Sequence, residues 1–86
     1  MELHEKIRHY IVEASMANGK DINYETLIFD QGYLDSMGLL FLVQFLNEEF
    51  KIVTTDMDLV KENFESVNAI ASFLQGRLAV NVNQLA

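Results

Sequence analysis

Apolar residues at Leu3, Ile7, Tyr10, Ile11, Ala14 and Ala17 recur in steps of three and four, the stripe of an amphipathic helix over about residues 2–17. Asn18-Gly19 follows as a left-handed stop. From Lys20 to Asp35 neither the helical nor the strand period holds. Ile22, Tyr24, Leu27, Ile28, Phe29, Tyr33 and Leu34 are nevertheless too apolar for a solvated linker, so a long loop lying on the core is expected. Loops of that length are uncommon in compact domains and often functional.

Ser36 to Phe50 contains no Pro, is rich in Leu, Phe, Met, Val and Glu, and begins with two residues of N-capping type, Asp35 and Ser36. It predicts a second helix whose arc of Leu39, Leu42, Val43, Leu46 and Phe50 faces the core. Met37, Phe41 and Phe45 lie outside that arc at i, i+4 and i+8, a second apolar strip with Glu48 nearby. Either the long loop or a partner covers it.

Lys51 to Thr55 is β-branched but has no second run to pair with, so it reads as a connection. Asp56 to Asn63 predicts a brief helix. Ser66 is placed to cap a last helix whose buried stripe is Val67, Ile70, Ala71, Leu74 and Leu78. The pattern dissolves beyond Leu78, which divides the chain into a domain over residues 1–79 and a frayed tail over residues 80–86. The expected fold is all-α: a four-helix bundle of three longer helices and one short one, with a long first loop.

With 86 residues there is room for one core. The net charge of −7 is unevenly distributed: residues 1–20 balance, whereas residues 21–50 hold Asp21, Glu25, Asp30, Asp35, Glu48 and Glu49 with no Lys or Arg. Such a field repels phosphate backbones, which argues against nucleic acid, and suits either solubility or a basic partner. Cysteine is absent, so disulfides, thiolate metal sites and thiol nucleophiles are excluded. A polar N-terminus and a longest apolar stretch, Leu39 to Leu46, broken by Gln44 give no signal core and no membrane span, and point to a soluble, cytoplasmic protein.

Candidate chemistry is sparse. His4 and His9 are five residues apart and share no helix face, so no metal site is expected. Asp21, Asn23 and Glu25 alternate as in a calcium loop, but Thr26 and Gly32 replace the required glycine and glutamate. No nucleophile elbow, lysine or histidine relay accompanies Ser15, Ser36, Ser66 or Ser72, so no catalytic residue is identified and an enzyme is not expected. Ser36 differs from the other serines in opening an apolar helix within the acidic segment. Its hydroxyl serves either as a helix cap or as a mount for a phosphodiester, which the positive end of a helix favours by about 0.3–1 kcal/mol.

Phe29-Asp30-Gln31-Gly32-Tyr33-Leu34-Asp35-Ser36-Met37 resembles the attachment motif of acyl carrier proteins and peptidyl carrier domains. The similarity extends to Glu48-Glu49-Phe50-Lys51-Ile52 and to the run from Glu62 to Leu74, covering roughly Leu3 to Leu78. The resemblance implies a covalent 4′-phosphopantetheine on Ser36, with Asp35 beside it, whose thiol end holds acyl or aminoacyl cargo as a thioester. It also implies a phosphopantetheinyl transferase, a cargo-loading ligase or adenylation enzyme, and downstream biosynthetic enzymes with basic docking patches; the second apolar strip, Met37, Phe41 and Phe45 with Glu48, is the expected docking face. Two departures stand out, since Gly38 and Phe41 occupy positions where many fatty-acid-type carriers have acids. Gly38 suggests close approach by a partner's backbone or by the arm. Asp35-Ser36-Met37-Gly38 also resembles stand-alone D-alanyl and other aminoacyl carriers. A helical interaction module without a prosthetic group remains the alternative from another class.

Overall fold

The computed structural model describes the backbone of residues 2–85 and the side chains of residues 2–78. Helix α1 spans Leu3–Ser15, with the Glu2 carboxylate accepting from the Glu5 amide at 3.3 Å. It ends earlier than the stripe suggests. Met16 adopts the left-handed conformation, φ 60°, and its amide bonds Glu13 O. The expected stop at Asn18-Gly19 is therefore corrected: Asn18 caps a separate 3-10 turn, Gly19–Asp21, by accepting from Lys20 N. The αL conformation is costly at a side-chain-bearing residue. Here Ala17 turns back onto the core, its amide bonded to Ser15 Oγ.

The long loop lies on the core as expected, with Ile22, Ile28 and Leu34 buried and Tyr24, Phe29 and Tyr33 half-buried. Its backbone polar groups need partners at that depth. Arg8 Nε donates to Ile22 O at 2.6 Å and a terminal guanidinium nitrogen donates to Gly19 O, while the other bonds Glu5 at 2.9 Å. The Tyr24 hydroxyl donates to the second Glu5 oxygen at 2.7 Å. At the other end, Ile28 N donates to Glu65 O and Asn68 N to Tyr24 O. The loop is thereby tied to α1 and to the start of the last helix.

Helix α2 spans Ser36–Phe50, as its composition predicts, and stops at Lys51 with φ 56°. Leu42 and Leu46 are fully buried, and Leu39, Val43 and Phe50 pack at the core's edge. The single helix expected over Asp56 to Asn63 is instead two pieces, a 3-10 turn Asp56–Asp58 and α3, Lys61–Phe64, separated by extended Val60. Asp58 ties the two pieces together: its carboxylate accepts from Thr55 N and Thr55 Oγ1 at the head of the first, and its carbonyl accepts from Val60 N at 2.9 Å and from Asn63 Nδ2 at 2.8 Å.

Helix α4 spans Val67–Leu85. Ser66 Oγ accepts from Ala69 N at 3.1 Å, the expected cap. Val67, Ile70, Ala71 and Leu74 are buried, and α4 packs against both α1 and α3. The backbone stays helical past Leu78 to Leu85, and the tail expected over residues 80–86 falls where no side chain is described. The described residues form four helices without strands, three long and one short. No described helix is long and apolar enough to cross a membrane.

Candidate functional site

The head of α2 is assembled by the last turn of the loop. Gly32, φ 80°, takes a conformation that side chains disfavour, and Tyr33 N reaches back to Ile28 O at 2.9 Å. This reversal sends Leu34 into the core and leaves Asp35 and Ser36 exposed. Of the two residues of capping type, the fold uses Asp35: its backbone is extended and Oδ1 accepts from Gly38 N at 2.8 Å. Ser36 is the first helical residue. Among the described residues its hydroxyl makes no hydrogen bond, so it is neither entombed nor spent on a cap.

Two depressions flank this turn. One, of about 570 Å³, runs between the loop, α2 and α3, with Phe29, Leu39, Leu59, Val60 and Phe64 along its walls and Ser36 at its lining. Lys61 at its edge pairs with Asp30 at 2.9 Å, and this bond raises the Lys61 pKa. The other, of about 350 Å³, lies toward the end of α1 and is lined by Met16, Tyr33, Met37 and Phe41.

The expected strip divides. Met37 and Phe41 are 58% and 57% exposed, so the loop does not cover them. Phe45 departs from them and is half-buried, stacked on Tyr10 with centroids 4.2 Å apart and edge-on to Phe50. Its assignment to an open docking strip is corrected to packing between α1 and α2, because Tyr10 reaches across to that turn. Leu40, unassigned in the sequence, joins the exposed patch. Glu48 is exposed and accepts from Gln44 Nε2. Glu49 pairs with Lys6 at 2.6 Å, which holds its carboxyl below the ordinary range. Of the six acids in residues 21–50, Asp30 and Glu49 are thus paired with lysines from other elements.

Gly38 is also reassigned. Its bare Cα faces Leu34 of the same chain, not open space for a partner or an arm. Among the described residues no cluster of three or more His, Cys, Asp or Glu could hold a metal. What the turn offers is an unengaged hydroxyl at a helix N-terminus, where a phosphate diester is electrostatically favoured, beside an apolar groove.

Residues 5–74 match a family model described as a phosphopantetheine attachment site. A search of curated proteins found no match.

Proposed function

Because the chain belongs to the phosphopantetheine attachment site family, whose members covalently carry 4′-phosphopantetheine, we propose that Ser36 is the attachment residue and that the protein presents thioester cargo to biosynthetic enzymes. The division of labour at the head of α2 carries this assignment: Asp35 caps the helix, so Ser36 is free. The other serines are less suited. Ser15 bonds Val12 O, Ser66 is buried as the α4 cap, and Ser72 is exposed within α4, away from any described helix N-terminus.

The group supplies a terminal thiol on a flexible arm, which raises the local concentration of cargo at each docked enzyme. The chain's own residues do the rest. Asp35 orders the first turn, Ser36 provides the oxygen, and the amides of that turn favour the diester's charge. Phe29, Leu39, Leu59, Val60 and Phe64 offer apolar shelter next to the attachment point. Met37 and Phe41, with Glu48 further along α2, form the surface for a phosphopantetheinyl transferase, a loading ligase or adenylation enzyme, and downstream enzymes. The cargo is acyl, in a fatty-acid-like, polyketide or nonribosomal-peptide setting, or aminoacyl, as in D-alanyl carriers.

Incubation with coenzyme A and a broad-specificity transferase should add one phosphopantetheine to the wild type and none to Ser36→Ala, read by intact mass. A wild type left unmodified by transferases that load other carriers, or a modified Ser36→Ala, sinks the proposal.

A further inference from the structure

Glycine inside a helix costs about 1 kcal/mol relative to alanine, and two of this chain's glycines sit in helices, Gly38 in α2 and Gly76 in α4. Their surroundings differ. A Cβ at Gly76 would meet nothing within 4 Å. At Gly38 it would lie 3.1 Å from Leu34 Cβ, 3.2 Å from Leu34 Cδ2 and 3.5 Å from Asp35 Oδ1. Ordinary carbon contacts are about 3.5–4.0 Å, so the neighbour would have to give by a few tenths of an ångström. Gly38 lacks a positive φ, so space and not backbone conformation calls for glycine there.

The neighbour that would yield is not free to do so at no cost. Leu34 is 8% exposed and belongs to the core cluster, and Asp35 is held by its bond to Gly38 N at 2.8 Å. Leu34 and Asp35 are the two residues immediately before Ser36. On the premise that Ser36 is the attachment residue, we propose that Gly38 is a positioning residue for its hydroxyl. The bare turn of α2 seats Leu34 closely, which sets the pitch of the Leu34–Asp35–Ser36 turn and hence the place of Ser36 Oγ.

In loading, the Ser36 hydroxyl gives its proton to a base on the transferase and its oxygen bonds the phosphorus nearer the pantetheine. The pyrophosphate bond of coenzyme A breaks and adenosine 3′,5′-bisphosphate leaves. Such a displacement depends on close alignment. A methyl at residue 38 pushes on Leu34 and Asp35 while leaving Met37, Leu40 and Phe41, the exposed surface of α2, chemically unchanged.

The test compares Gly38→Ala, Gly38→Ala with Leu34→Met, and Gly76→Ala as a control, by steady-state loading, helical circular dichroism and thermal unfolding. Gly38→Ala should keep the helical spectrum and lose about ten-fold in kcat, with KM changed less than about twofold, as expected for misalignment without loss of docking. Adding Leu34→Met, which removes the branch methyl at 3.2 Å but keeps the Cβ at 3.1 Å, should recover part of the lost kcat. Gly76→Ala should load as wild type. Wild-type kcat in Gly38→Ala, a change confined to KM, loss of the helical spectrum, or a kcat defect that Leu34→Met leaves in place would each overturn the positioning role. A wild type that never loads sinks the attachment assignment itself, and this proposal with it.

Discussion

Asp35 and Ser36 are adjacent and of the same capping class, and their difference in role comes down to one hydrogen bond, Asp35 Oδ1 to Gly38 N. Asp35→Ala should therefore cost about 0.5–2 kcal/mol, seen as a lower thermal midpoint, while Asp35→Asn keeps the cap and loses only a few tenths. If loading falls in Asp35→Asn at unchanged stability, the carboxylate's charge has a part separate from capping. Gly76→Ala, with open space at its Cβ, should gain up to about 1 kcal/mol and raise the midpoint by several degrees. Ser36 and Asp35 stand out in the sequence because capping chemistry is local. Gly38 is visible there as an anomaly, but its reason is not, since it depends on Leu34 being turned inward.

Among the elements, Arg8 is one tie on the loop before α2, and Asp58 with Arg77 holds the segment after it. Arg8 bonds carbonyls of Gly19 and Ile22. Arg8→Met should cost more than about 1 kcal/mol by leaving loop carbonyls without their donor, and amide exchange over residues 19–24 should quicken more than in α4. Asp58 does the same for the connection between α2 and α3. It accepts from Thr55 and pairs with Arg77 at 2.7 Å, while Arg77 also donates to Val53 O. The Thr55 amide bond first, with the Arg77 bond next, lowers the Asp58 pKa. A lowered folded pKa means that its stabilisation is present above the unfolded value of about 3.9 and is lost as pH falls through the folded one. The thermal midpoint of the wild type should accordingly fall more steeply with acidification, between about pH 5 and pH 2, than that of Asp58→Asn. The helical period reveals α1, α2 and α4 in the sequence, but it does not register the bonds of Asp58, which join the two pieces found where one helix is expected.

Over the whole molecule, a charge of −7 favours encounters with basic partners, yet the face of α2 that follows Ser36 is apolar, with Met37, Leu40 and Phe41 all more than half exposed. Phe41→Ala should change stability by less than about 0.5 kcal/mol while lowering kcat/KM for loading. Phe45→Ala should do the reverse, costing more than about 1 kcal/mol through its stack on Tyr10. Unchanged loading in Phe41→Ala would remove this face from the docking surface. The helical class, the bounds of α2, the cap at Ser66 and the hydroxyl at Ser36 are written in the chain, because each rests on period or bonds within a turn or two. The cover on Phe45, the clamp from Arg8 to a carbonyl 14 residues away, the tie from Asp58 to Arg77 and the seat of Leu34 against Gly38 are not. They arise when separate segments share one core, where burial and shape set the neighbours and sequence spacing carries no record of them.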